Sequence, residues 1–180
     1  MANLQRARGP IYLVGMMASG KSTVGRGLAE TLGRGFADVD AAVERRTGLT
    51  VAEVFARYGE FDFRACEAQV LRDLPRQVGH GVIATGGGTP LHFDGMTFML
   101  QTGTVVYLSA GLGTLAARLA PVRGTRPLLA GADWRERLGA LLAERAPVYE
   151  RAHGRYAVDG ADVAAVTEGL AKQLPQITGH

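Results

Sequence analysis

Residues 15–22 read Gly-Met-Met-Ala-Ser-Gly-Lys-Ser and fit the pattern G-x-x-x-x-G-K-S. The pattern answers one chemical need. A nucleotide's phosphates must be met by several backbone N–H groups at once, so the chain must curve tightly and approach closely, which glycine permits. A helix that starts at the end of the loop points its positive end at the phosphates. Lys21 can reach the β- and γ-phosphates, and the Ser22 hydroxyl can ligate Mg²⁺. A chance glycine-rich turn is the plainer reading. It is disfavoured because an apolar run precedes the pattern and an amphipathic one follows it.

Further along are residues able to hold an acceptor. Asp38 and Asp40 fall at the end of a short run expected to be a strand. Period-two alternation turns them to one face. One carboxylate can hold a metal-bound water, and the other can accept a hydrogen bond from an acceptor hydroxyl. A helix N-cap would explain one of these acids but not both. Arg64 and Glu67 stand three apart on an expected helix and face the same way. Glu67 can therefore orient the guanidinium and leave its fork for a ligand carboxylate. Gly86, Gly87 and Gly88 follow a buried run and allow backbone to approach a substrate. His80, His92, His153 and His180 match no metal-ligand spacing and read as surface or structural residues. Cys66, Met96 and Met99 read as core.

The elements that must position these groups alternate in type. Apolar runs at 11–14 and 82–84 end in glycine or threonine-glycine, as strands buried on both faces do. A third such run is 104–108, with shorter strands expected at 36–40 and 156–158. Helical spacing covers 21–32, 41–47, 50–58, 60–74, 112–119, 134–145 and 161–174, with Gly48 breaking one pair and Pro75 expected to stop another helix. The segment 121–131 is rich in Gly, Pro and Arg and reads as a mobile loop, while 91–101 carries no assignment. Strands alternating with helices imply a parallel sheet covered on both faces.

Bulk properties exclude several classes. A chain of 180 residues, 47% hydrophobic and 21% charged, suits one folded domain and neither a disordered nor a low-complexity protein. The net charge of +3 comes from dispersed arginines, so nucleic-acid binding is not expected. One cysteine allows no intrachain disulfide, and no run resembles a signal peptide or a membrane helix, so a cytoplasmic location is expected. Asn3 is the only asparagine, which rules out the N-K-x-D guanine motif of GTPases. The third strand ends in Thr85 and three glycines, not in the acidic pair of a motor ATPase. A small-molecule or nucleotide kinase remains.

A set of motifs then occurs in one order: the loop at 15–22, Asp38-Val39-Asp40, Gly59-Glu60-x-x-Phe63-Arg64-x-x-Glu67, Thr85-Gly86-Gly87-Gly88, Arg126-Pro127-Leu128-Leu129 and Arg145-Ala146-Pro147-Val148-Tyr149. Together they resemble the shikimate kinase family over roughly 11–159. The resemblance implies a P-loop three-layer α/β/α fold on a five-stranded parallel sheet. It implies one domain over 1–180, with a small helical substrate-binding insertion at about 40–75 and a mobile lid at about 120–132. It implies transfer of the γ-phosphoryl of ATP to the 3-hydroxyl of shikimate, with Mg²⁺, by a monomer that binds neither nucleic acid nor membrane.

The resemblance also distributes roles. ATP contacts fall to Gly15, Ala18, Ser19, Gly20, Lys21, Ser22, Thr23 and Arg126, and the metal to Ser22 and Asp38. Shikimate falls to Asp40, Arg64, Gly86, Gly87, Gly88 and Arg145, with both arginines on its carboxylate. The catalytic set is Lys21, Asp40 as general base, and Arg126 in the lid, neutralising the transferring phosphoryl. Two positions depart from the family. Ala18 stands where a glycine is usual, at no cost if its φ is negative and with strain if it is positive. Leu119 stands where an adenine-stacking arginine is usual, with Arg118 beside it. A kinase for another hydroxy acid such as gluconate and a catalytically silent nucleotide-binding module are the competing readings. The Glu60–Arg64 segment and the glycine triplet argue against the first. Retention of Lys21, Ser22, Asp38, Asp40 and Arg126 argues against the second.

Overall fold

Apolar runs such as Ile11–Val14 satisfy their backbone only by pairing on both edges, and they shed water only if both faces are covered. The computed structural model, which describes residues 9–121, 131 and 133–178, meets both needs with one parallel sheet. Its strands are β1 (Ile11–Val14), β2 (Phe36–Asp38), β3 (Val82–Ala84), β4 (Thr104–Ser109) and β5 (Gly154–Ala157). Their order is β2-β3-β1-β4-β5. Leu13 pairs with Ala84 on one side and Val106 on the other, so β1 is central. The chain crosses first to one side of β1 and then to the other. The crevice at the carboxyl ends of β1 and β3 is therefore the expected ligand edge of such a sheet.

Helices cover the sheet: α1 (Lys21–Leu32), α2 (Val39–Thr47), α3 (Val51–Val78), α4 (Gly95–Thr102), α5 (Leu112–Leu119), α6 (Trp134–Tyr149) and α7 (Val163–Ile177). On α1, Val24 and Leu28 are buried, and Gly25 lets the helix approach Phe36 and Leu13, where a Cβ would lie 2.8 and 3.1 Å away. The other side of α1 packs on α7, which buries Val166, Leu170 and Leu174. No helix among the described residues is long and apolar enough to cross a membrane.

Several boundaries differ from the sequence reading, each for a local reason. β2 stops at Asp38, because Asp38 caps α2 by accepting the Ala41 N–H at 3.2 Å. Asp40 therefore lies in the first helical turn, and strand alternation does not relate the two acids. Pro75 does not end α3, which continues to Val78. The separation expected between 50–58 and 60–74 is found as a break in α3 at Gly59, with φ 82° and ψ 175°. Likewise α6 runs through Pro147 to Tyr149, whose ring is fully buried 5.3 Å from that of Tyr107. Packing outweighs the one backbone bond that a proline removes. The strand expected at 156–158 forms at Gly154–Ala157, and the helix expected at 161–174 forms at Val163–Ile177. The unassigned 91–101 holds the end of a 3-10 turn (Thr89–Leu91) and most of α4. Met96 and Met99 are core as expected. Most of the segment expected to form a lid, with Arg123, Gly124 and Arg126, lies outside the described residues.

Candidate active site

Between β1 and α1 the loop turns on two glycines and one alanine in left-handed or extended positive-φ conformations. Gly15 has φ 141°, and a Cβ there would lie 2.5 Å from the Leu108 carbonyl oxygen. Gly20, the residue before α1, has φ 96°. Ala18 has φ 63°, so the strained alternative of the sequence reading is the one found. The Ser19 N–H closes the turn onto the Met16 carbonyl at 3.2 Å, while its buried hydroxyl has no partner among the described residues. The Lys21 Nζ donates to the carbonyls of Gly15 (2.9 Å) and Met16 (2.8 Å), so its charge is held over the loop. Ser22 and Thr23 are exposed in the first turn of α1.

The Ser22 hydroxyl donates to Asp38 Oδ2 at 2.5 Å, while Asp38 Oδ1 caps α2. This brings two hard oxygen donors together at the mouth of the loop. Among the described residues no group of three or more His, Cys, Asp or Glu could hold a metal. A pair of oxygens suits Mg²⁺, which keeps several waters and takes its remaining ligands from phosphate.

Next to the loop is a cavity of about 390 Å³ lined by Met17, Asp40, Phe55, Phe63, Arg64, Glu67, Gly86, Gly87, Gly88 and Arg145, among others. Its size suits a small metabolite. Helix α3 presents Arg64 and Glu67, which are 6% and 1% exposed and joined by a 2.8 Å bond from Nη1 to Oε2. Glu60 touches the same guanidinium at 3.4 Å, and the Phe63 ring lies 5.0 Å from it. Glu67 Oε1 accepts the buried Thr89 hydroxyl at 2.6 Å. Arg145, 7% exposed, enters from α6, and its Nε has no partner among the described residues.

The glycine triplet is what these groups pack against. A Cβ at Gly86 would lie 2.6 Å from Glu67 Oε1 and 2.9 Å from Asp40 Oδ1. At Gly88 it would lie 2.5 Å from Arg64 Nη2, and at Gly87 it would lie 3.5 Å from Arg145 Nη1 and 3.4 Å from the Met17 nitrogen. Thr85 pins the start of this run to β1, its N–H and hydroxyl both donating to the Leu13 carbonyl at 3.1 and 3.0 Å.

The fold thus brings Asp40, Arg64, Arg145 and Gly86–Gly88 into one cavity beside Gly15, Ala18, Ser19, Gly20, Lys21 and Ser22. Four residues of the site had no assigned role in the sequence reading. Thr89 and Tyr149 supply buried hydroxyls, and Tyr149 donates to the Gly87 carbonyl at 2.6 Å. Arg118 reaches the Ala18 and Ser19 carbonyls at 3.2 and 3.4 Å, whereas Leu119 is buried in the core. His92, read as surface or structural, lies near Arg64, Glu67, Glu60 and Arg145. Burial, followed by the Arg64 charge, holds its imidazole below the usual range. Two had a signal: Arg118 in its place one residue from the expected stacking position, and Tyr149 in the motif that begins at Arg145.

Comparison with known proteins places these features in context. A family model described as shikimate kinase matches residues 17–175. A shikimate kinase of Gloeobacter violaceus is 48% identical over 160 residues, covering 89% of each chain. The solved structure of a shikimate kinase from Acinetobacter baumannii in complex with shikimate matches with a TM-score of 0.84 at 38% identity, covering 94% of this chain and 92% of the other. A gluconokinase from Sinorhizobium meliloti matches with a TM-score of 0.60 at 17% identity, covering 97% of this chain and 95% of the other, a likeness of fold alone.

Proposed function

The chain belongs to the shikimate kinase family, and from that membership we propose how its residues divide the transfer of the γ-phosphoryl of ATP to the 3-hydroxyl of shikimate. The reaction gives shikimate 3-phosphate and ADP, on the route to aromatic amino acids. Phosphoryl transfer asks little covalent chemistry of the protein. It asks for positioning and for stabilisation of spreading negative charge.

Loop 15–22 cradles the phosphates with its backbone, and Lys21 exchanges its loop carbonyls for the β- and γ-phosphate oxygens. Ser22 and Asp38 hold Mg²⁺, which when bound screens the phosphate charge. Arg64 and Arg145 take the carboxylate of shikimate, with Glu67 fixing the first fork. Asp40, at the cavity wall beside Gly86, orients the acceptor hydroxyl and takes its proton. Arg126 neutralises the transferring group from the lid. Gly86–Gly88 form the wall against which acceptor and arginines are seated.

The single observation that carries this division is the junction at Gly87, where the acceptor cavity and the phosphate loop meet within van der Waals reach. Coupled ADP release from Mg-ATP, measured with shikimate, with gluconate and with no acceptor, tests it. Release is expected to be fast only with shikimate. Equal rates with gluconate would reassign Arg64, Arg145 and Asp40, and release without acceptor would remove Asp40 from its role.

A further inference from the structure

The hydroxyl of Tyr149 holds the backbone of Gly87, against which a group assigned to the acceptor, Arg145, is packed. Tyr149 is fully buried at the end of α6, one helical turn beyond Arg145. Its hydroxyl donates to the Gly87 carbonyl at 2.6 Å, and the Arg145 guanidinium lies against the same glycine, its Nη1 3.5 Å from where a Gly87 Cβ would sit. Burial above all pushes the phenol up to about 12, so it keeps its proton and stays a donor at neutral pH. Gly87 in turn lies against the Met17 nitrogen of the phosphate loop. Arg145 lacks a partner at Nε and makes no ion pair among the described residues, so few contacts fix its aim.

We propose that Tyr149 is a positioning residue for acceptor binding, its hydroxyl locking the Gly87 backbone on which the Arg145 guanidinium packs beside the phosphate loop. The proposal rests on the reading that Arg145 takes the acceptor's carboxylate. The competing account is that Tyr149 is only a packing residue. Its ring lies 5.3 Å from that of Tyr107 and fills the space under Gly87. The two accounts differ in the hydroxyl alone.

Tyr149→Phe keeps the ring and removes that hydroxyl. Losing this bond leaves the part-buried Gly87 carbonyl unpaired and frees the backbone that Arg145 packs on. That should raise the KM for shikimate about tenfold, with the KM for ATP and kcat changed less than about twofold. An unchanged shikimate KM overturns the proposal. An equal rise in both KM values also overturns it, since that marks general loosening. The ATP KM of the same preparation reports whether the phosphate site is intact. Arg145→Lys, measured beside it, keeps the charge and loses the fork. If Arg145→Lys leaves the shikimate KM unchanged, the underlying acceptor-site reading fails. If it raises that KM while Tyr149→Phe does not, only the role of Tyr149 fails. In the double variant Tyr149→Phe should add less than about a threefold further change, because residues acting as one unit are not additive. A full tenfold addition would show that the hydroxyl does not act through Arg145.

Discussion

Gly88→Ala separates packing against the acceptor site from folding of the chain. The backbone at Gly88 has φ −90° and ψ −17°, which any residue adopts, so alanine brings no backbone strain. By restricting the unfolded chain it should favour the folded state by about 0.4–1 kcal/mol. The new methyl, however, would lie 2.5 Å from Arg64 Nη2 and 2.6 Å from both Cζ and Nη1. Ordinary carbon contacts begin near 3.5 Å, so the guanidinium must retreat by about 1 Å. The room for that retreat is the acceptor cavity itself, because the guanidinium's other sides are Glu67 and the rings of Phe63 and Phe55, 5.0 and 5.7 Å away. Either the 2.8 Å bond to Glu67 or the aim of the free fork must give. A charge-assisted hydrogen bond contributes about 1.5–3 kcal/mol, so the KM for shikimate should rise about 10- to 100-fold. Steady-state ADP release at saturating ATP measures it, beside a urea unfolding curve. A shikimate KM within about twofold of the parent, in a protein that unfolds no earlier, would refute the placement of Arg64 against Gly88.

Two further outcomes follow from the phosphate loop. Ala18→Gly relieves the left-handed conformation of Ala18, a gain of about 1–2 kcal/mol offset by about 0.5–1 kcal/mol of extra chain entropy. The urea midpoint should therefore rise, and a fall would mean that the φ of 63° carries no strain. Lys21→Ala should abolish ADP release while leaving the unfolding midpoint within about 1 kcal/mol in stability terms; an unaffected rate would remove the loop from phosphate binding.

How much of this was legible in the sequence depended on how local the signal was. β1, β3 and β4 were legible because strands buried on both faces must be continuous apolar runs, and the first two end at a glycine or threonine that the loop chemistry needs. The phosphate loop was legible because positive φ and close approach select glycine almost residue by residue. The relation between Asp38 and Asp40 was not, because a two-residue spacing means one face only while the chain is a strand. A single side-chain cap to the Ala41 N–H turned the strand into a helix between them. Asp38 was left facing Ser22, and Asp40 facing Gly86. Helix α4 gave no warning since it starts at Asp94, in a left-handed conformation with no side-chain cap bond. The place of Tyr149 on α6 was hidden by Pro147, a helix breaker by propensity that buried packing overrides. Arg118 was hidden by a register one residue off, which only the burial of Leu119 corrects.

The triplet Gly86–Gly88 invites the reading of a flexible hinge, and the geometry argues for the opposite. None of the three holds a positive φ, so conformational freedom is not what selects glycine there. At two of them side chains occupy the space of the missing Cβ, Glu67 and Asp40 at Gly86 and Arg64 at Gly88, while at Gly87 a Cβ would only touch Met17 and Arg145 at 3.4 and 3.5 Å. The run is thus a rigid floor that spaces two buried guanidiniums. Glu67 pairs with only one of them, spending Oε2 on Arg64 and Oε1 on Thr89, so Arg145 is a buried cation that makes no ion pair among the described residues. Burying such a charge is costly until an anion joins it. A carboxylate on the acceptor supplies that anion, but any hydroxy acid has one, so charge alone does not choose among acceptors. On the proposed division of roles, the choice falls to the spacing along the floor from the two arginines to Asp40 and the phosphate loop, which would favour an acceptor whose carboxylate and hydroxyl match that span.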